Sequence, residues 1–222
     1  MCGRFALTIS RKEITGFLQG VDTGFWPTRG YNITPGQDIA AILNISPGTI
    51  TPTRWGLIPS WAKSPSIGYR LINARVETIH EKPSFKRPFA TQRCLILANG
   101  FYEWDNNPET NIKTPYFFQL NSGDLFCFAG LWDTWKSPDN TFILSCTIIT
   151  TDANTTVSKI HHRMPLVLKP ESHNIWLSTK PLPHEALLDV ITCYDSSDYK
   201  YFKVTREVNN PSFNNPEAIE EI

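Results

Sequence analysis

The chain has 222 residues, 41% hydrophobic and 12% aromatic, and its 21 Lys+Arg balance 21 Asp+Glu. That length fits one large domain or two small ones and is enough to bury a proper core. No run approaches the roughly 18 apolar residues of a membrane-spanning helix. The start carries no secretory signal, since Arg4 and Lys12 flank only a short apolar patch, so an intracellular protein is expected.

The zero net charge hides an asymmetry. Residues 1–100 hold 12 Lys+Arg against 5 Asp+Glu, whereas residues 101–222 hold 9 against 16. The basic half includes Arg4, Arg54, Lys63, Arg70, Arg75, Lys86, Arg87 and Arg93. Two solvated faces of opposite sign account for this, and so does a local anion-binding surface. The five cysteines are Cys2, Cys94, Cys127, Cys146 and Cys193, with no CxxC pair. Neither a zinc site nor a disulfide framework follows. Cys94, Cys127 and Cys146 lie in apolar runs and read as small core residues.

In chain order, the first feature is Met1-Cys2-Gly3-Arg4-Phe5. A small residue after the initiator methionine favours its removal, which places an α-amine and a thiol on one residue. These groups titrate near about pH 8 and about 8.5, so both are partly nucleophilic at neutral pH. A 1,2-aminothiol condenses with an aldehyde through the amine, and its sulfur then closes a five-membered thiazolidine. The alternative is an incidental cysteine on a frayed end. Ser10–Leu18 follows as a helix whose Ser10 and Glu13 form a capping-box pattern. Trp55-Gly56-Leu57-Ile58-Pro59-Ser60-Trp61 then places two indoles among Arg54 and Lys63. Such interleaving suits a single-stranded nucleic acid, with about 1–3 kcal/mol for each stacked base. Tryptophans also build cores, and about half of the seven fit that role.

Leu71–Glu77 (LINARVE) puts Asn73 and Arg75 where an apolar stretch becomes a predicted helix over Ala74–His80; Asn73 equally suits its cap. Arg93–Ala98 is a predicted strand. Asn99–Trp104 (NGFYEW) turns at Gly100 and sets Glu103 among Phe101, Tyr102 and Trp104. A carboxylate so surrounded is partly desolvated, which raises its pKa toward proton-transfer use; a surface glutamate on a strand is the plain alternative. Pro115–Leu120 and Leu125–Ala129 are strands joined by a predicted hairpin turn at Asn121-Ser122-Gly123-Asp124. Thr141–Thr151 is a further strand, and Asp152 is the predicted N-cap of a helix over Asp152–Lys159.

Ile160–Pro165 (IHHRMP) offers two histidines, one suited to moving protons near neutral pH. Strand Pro165–Leu168, helix His184–Ile191 and a loose tail over 209–222 complete the chain. The sum is one α+β domain over 1–208, built on a mostly antiparallel, β-barrel-like sheet with short flanking helices. A Cys–His–Glu–Asn set also fits a thiol hydrolase. Metal binding fits less well, because adjacent histidines cannot easily share one ion and no third ligand has a recognised spacing.

Assembled, the segments resemble the SRAP family, the SOS-response-associated peptidases or abasic-site-processing proteins. The likeness runs from MCGRF through YNITPGQ (Tyr31–Gln37), RWGLIPSW (Arg54–Trp61) and NARVET (Asn73–Thr78) to RCLILANGFYEW (Arg93–Trp104). It continues with AGLWD (Ala129–Asp133), TIITTDAN (Thr147–Asn154) and IHHRMPLVL (Ile160–Leu168) and fades near residue 208. His162 departs from it, since many relatives carry an acidic residue there.

The resemblance implies a barrel-like α+β domain with a basic groove for DNA. It implies that Cys2, freed of Met1, captures the ring-opened aldehyde of an abasic site as a thiazolidine crosslink in single-stranded DNA. Asn73, Glu103 and His161 take the catalytic positions beside Cys2, with Asn73 expected to aim the α-amine. Arg4, Arg75 and Arg163 take the DNA-contacting positions, Trp104 the base-wedging one, and Trp55 and Trp61 places near the DNA. The family name implies self-removal of Met1, a task that an ordinary methionine aminopeptidase performs equally. A weak lyase activity is also implied; no cofactor, metal or membrane is implied, and a monomer is expected. The compartment is a bacterial cytoplasm or a nucleus. Two other classes stay open: a cysteine hydrolase and a non-catalytic single-strand-binding module.

Overall fold

The computed structural model describes residues 2–18, 29–106, 113–180, 187 and 192–222. Its first strands are β1 (Phe5–Leu7), β2 (Gly30–Ile33), β3 (Asp38–Leu43), β4 (Ile50–Trp55) and β5 (Asn73–Arg75). Next come β6 (Arg93–Ala98), β7 (Gly100–Asn106), β8 (Lys113–Leu120), β9 (Phe126–Lys136) and β10 (Phe142–Asp152). The last are β11 (Arg163–Pro165), β12 (Val167–Leu168) and β13 (Tyr199–Lys203). Short helices α1 (Arg11–Phe17), α2 (Lys86–Thr91) and α3 (Pro170–Trp176) flank them. No helix among the described residues is long and apolar enough to cross a membrane.

The strands form two sheets. One has the order β13-β8-β7-β1-β2. In the other, β10-β4-β3-β6-β9 closes on itself because β9 also pairs with β10, giving a five-stranded barrel. Among the described residues, parallel pairing is confined to β10 with β4 and with β5. The fold is thus the α+β, mostly antiparallel, barrel-like domain expected from sequence.

Period-two alternation sorts the side chains of each barrel strand between two cores. Leu95 and Leu97 of β6 join Cys127 and Ala129 of β9 in a cluster completed by Ile14 of α1, Phe89 of α2 and Trp176 of α3. Cys94, Ile96 and Ala98 face the other way, with Phe126 and Phe128 of β9. That second cluster is shared with the five-stranded sheet, through Phe5, Phe101 and Phe118. Phe101 stacks on Phe118 at 5.1 Å, and Phe5 meets Phe128 edge-on at 5.6 Å. The opposite face of the small sheet, Ala6, Tyr102 and Phe117, is covered by Val204, Val208 and Ala218 from the end of the chain. Residues 209–222, expected as a loose tail, therefore pack. Tyr102 Oη donates to the Ala218 carbonyl at 3.1 Å, and Asn214 Oδ1 accepts from the Tyr31 and Asn32 amides.

Several local expectations hold. Ser10 and Glu13 make the capping box of α1, and β6 spans the residues predicted for it. Others give way to long-range pairing. Ala74 and Arg75 pair with Ile149 and Thr150 of β10, so the predicted helix over Ala74–His80 is a strand followed by one 3-10 turn, Val76–Thr78. Asp152 ends β10 opposite Arg163 instead of capping a helix. The capping role passes to Asn154, whose Oδ1 accepts from the amides of Thr156 and Val157 before the 3-10 turn Val157–Lys159. Asn121–Asp124 is a turn but not a hairpin, because β8 and β9 belong to different sheets. Gly123 at φ 76 lets the chain leave one sheet for the other. The helix predicted over His184–Ile191 lies outside the described residues, Leu187 excepted.

Candidate functional site around Cys2

The antiparallel register of β1 and β7, Phe5 opposite Phe101 and Ala6 opposite Gly100, runs the start of the chain toward Glu103. Only glycine fits at position 100, because a Cβ there would lie 2.0 Å from Phe117 Cζ. Alternation along β7 does the rest. Phe101 and Glu103 point to the core face that also holds Cys2 and Phe5, and Tyr102 and Trp104 point to the face covered by the chain's end.

Cys2 is fully buried. Its Sγ lies 3.7 Å from the Arg4 carbonyl, and its own carbonyl accepts from Asn73 Nδ2 at 2.8 Å. Asn73 thus anchors Cys2 through the peptide oxygen, where sequence predicted a grip on the α-amine, and it caps no helix. Burial pushes the Cys2 thiol well above the ordinary range, and the charge of Glu103 adds to the shift. The thiol is therefore kept protonated until its surroundings change.

Glu103 is 2% exposed, and burial raises its carboxyl pKa to about 7. His161 Nδ1 lies 3.8 Å from Glu103 Oε2 and 3.0 Å from the backbone N and O of Arg163. Burial is the main cause that lowers the His161 pKa, which favours the neutral ring. Glu103 and His161 open onto a cleft of about 310 Å³ whose other lining residues are Trp104, Lys113 and Asn209. Cys2, Asn73, Glu103 and His161, drawn from four separated segments, thus meet at one place. A carboxyl poised near neutrality beside an imidazole can pass protons in either direction.

The remaining predicted site residues divide. Arg75 is exposed on β5. Arg4 is half-buried, and its guanidinium donates to Asn32 Oδ1 at 2.7 Å and to the carbonyls of Val208 and Asn209. Trp104 is half-buried with its Nε1 donating to Asn209 Oδ1 at 2.8 Å. Trp61 is 58% exposed and lines another cleft with Lys63 and Arg70. Two are enclosed. Trp55 is 1% exposed, packs against Phe5 at 5.2 Å and donates to the Ile72 carbonyl, so it offers no face for stacking. Arg163 is buried, with Nη1 and Nη2 bound to Glu77, Asp152 and the Thr150 carbonyl, so its charge is spent inside the protein. Lys113 and Asn209 line the cleft without having stood out in sequence. Lys113 begins β8 opposite Asn106, and only that pairing brings it near. Among the described residues, no three His, Cys, Asp or Glu side chains are placed to hold a metal ion.

The family model described as SOS response associated peptidase (SRAP) matches residues 1–211. The chain belongs to the SRAP family. The abasic site processing protein YoqW of Bacillus subtilis is 42% identical over 228 residues, covering 99% of each chain. The SRAP relative HMCES of Pongo abelii, also named an abasic site processing protein, is 35% identical across 77% of this chain and 56% of its own. A crystal structure of a protein from Bacteroides thetaiotaomicron superposes with a TM-score of 0.90 over the whole of both chains at 24% identity. That likeness bears on the fold alone. The SRAP match includes every residue that meets at the Cys2 site.

Proposed function

We propose that this protein processes abasic sites, using Cys2 freed of Met1 to capture the lesion's ring-opened aldehyde in single-stranded DNA as a covalent adduct. The observation that carries the reading is the convergence at residue 2, where Asn73 fixes the Cys2 carbonyl and the near-neutral carboxyl of Glu103 acts on its thiol. The names of YoqW and HMCES supply the substrate class.

The chemistry balances without an oxidant or a reductant. The amine lone pair attacks the aldehyde carbon, and the resulting carbinolamine loses one water to give an imine. The sulfur then adds to the imine carbon while the thiol proton passes to nitrogen, closing the thiazolidine. Glu103 at about 7 is matched to both transfers, protonating the departing hydroxyl and relaying the thiol proton. His161 serves as the second proton carrier. Exposed Arg75, Lys113 and Trp61 are the groups offered to phosphates and bases.

A cysteine hydrolase is the weaker reading. It requires a thiolate activated by imidazole, whereas burial and the charge of Glu103 favour the protonated Cys2 thiol. Incubation with single-stranded DNA bearing one abasic site, followed by a denaturing gel, tests the proposal. The expected result is a heat-stable shifted band that Cys2→Ala loses while still giving a borohydride-trapped imine. A heat-stable band from Cys2→Ala would refute the thiazolidine.

A further inference from the structure

One wall of the cleft beside Glu103 is the segment carrying Asn209, anchored by Arg4 and Asn32 from early in the sequence. Val208 and Asn210 are pinned by one buried side chain, Asn32, whose Nδ2 lies 3.1 Å from each of their carbonyls and 2.8 Å from that of Phe213. Arg4 adds its bonds to the Val208 and Asn209 carbonyls. Asn209 itself is exposed, yet its backbone is held on both sides by these contacts. Its side chain is the one polar group of this segment that lines the cleft, and its Oδ1 accepts the Trp104 indole N–H at 2.8 Å.

We infer that Asn209 is a positioning residue, which fixes the Trp104 indole as the cleft wall that meets DNA flanking the lesion. This rests on the abasic-site reading above. Trp104 projects from β7 on the face opposite Glu103, where it is half-buried against the cluster under the chain's end and keeps one side open to the cleft. Among the described residues it meets the Tyr102 ring, tilted by 36° at 6.3 Å. The hydrogen bond that the indole donates to this backbone-anchored residue adds a directional constraint to that packing and spares the DNA the cost of ordering the ring.

The test follows adduct formation against DNA concentration, together with the indole N–H resonance of Trp104, identified by its loss in Trp104→Phe. Asn209→Leu is expected to raise the half-saturating DNA concentration by about threefold to tenfold, the effect of one hydrogen bond, and leave the limiting rate near that of the wild type. It should also shift the Trp104 resonance. Asn209→Asp keeps an acceptor oxygen and should keep the resonance in place. In a Trp104→Phe background, Asn209→Leu should have no further effect on adduct formation. An unchanged resonance, or an undiminished effect in that background, would overturn the inference. A wild-type protein that forms no adduct would instead overturn the abasic-site reading, with the resonance still reporting on the bond.

Discussion

Arg163 and Glu103 each bury an ionisable group beside His161, and their surroundings act on charge in opposite directions. Around Arg163, burial favours the neutral form, but the hydrogen bonds it donates to Glu77 and Asp152 outweigh it and hold the guanidinium charged. Glu77 is correspondingly held below the ordinary carboxylate range, chiefly by its hydrogen bond with Arg163. Around Glu103, burial dominates and lifts the carboxyl to about 7. A buried charge whose partners match it is spoken for, and it ties β10, β11 and the turn after β5 together. A buried carboxyl that sits near neutrality is available for proton transfer. By this contrast the Arg163 charge is matched inside the fold and the Glu103 carboxyl lies near neutrality, although sequence placed both in one functional set.

The largest effect expected from this contrast is kinetic. Glu103→Gln should slow adduct formation by roughly 10²–10³-fold, the scale of a lost general acid–base group, and leave DNA binding intact. Single-turnover rates with an abasic strand, read beside binding to an intact strand, check this. An unchanged rate would remove Glu103 from the chemistry.

The same substitution should stabilise the protein at high pH. The folded pKa of about 7 lies above the ordinary value of 4.5, so the folded state binds more protons between them. Stability from this group is therefore full below about pH 4.5 and is lost as pH rises through 7. At pH 8, Glu103→Gln should be more stable than wild type by on the order of 2–3 kcal/mol, and the advantage should shrink on acidification. Urea midpoints at pH 5 and pH 8 read it, and equal differences at the two values would contradict the buried-carboxyl account.

Arg163→Met should give the converse pattern. Losing its charged hydrogen bonds should cost about 1–3 kcal/mol of stability, with the adduct rate of the folded fraction within about twofold of wild type. A collapse in rate with stability intact would put Arg163 in the DNA site after all. The smallest effect is expected at Trp55, where Phe keeps the ring and loses the bond to the Ile72 carbonyl. Trp55→Phe should cost about 0.5–1.5 kcal/mol of stability and leave DNA affinity unchanged; weaker DNA binding would contradict its placement in the core.

The fold was legible where local pattern and tertiary pairing agree. β6 and β10 are apolar runs that a barrel buries on both faces, and α1 carries its own cap. Expectations failed where distant strands recruited a segment with helical character. Asn73–Arg75 and Asp152 each pair with residues that short-range sequence cannot see. The turn at Asn121–Asp124 failed for a related reason, since turn residues fix a reversal but not which sheet receives the next strand. The candidate site was legible at Glu103 because three aromatics adjoin it in sequence. Arg163 looked the same as Arg75 in sequence, and only the carboxylates that fold onto it separate them. Asn209 was not legible, because its role depends on Asn32 holding the segment from far away in the chain.

The central claim is that Cys2 supplies both its amine and its sulfur to the lesion. The intact mass of the adduct formed with a single-stranded abasic oligonucleotide, without reductant, tests it most directly. The account predicts the protein lacking Met1 plus the whole strand minus one water, surviving heat before the measurement, whereas the imine that Cys2→Ala forms, with the same loss of one water, is removed by heating. An adduct that retains Met1, or a cleaved strand with no protein attached, would contradict it.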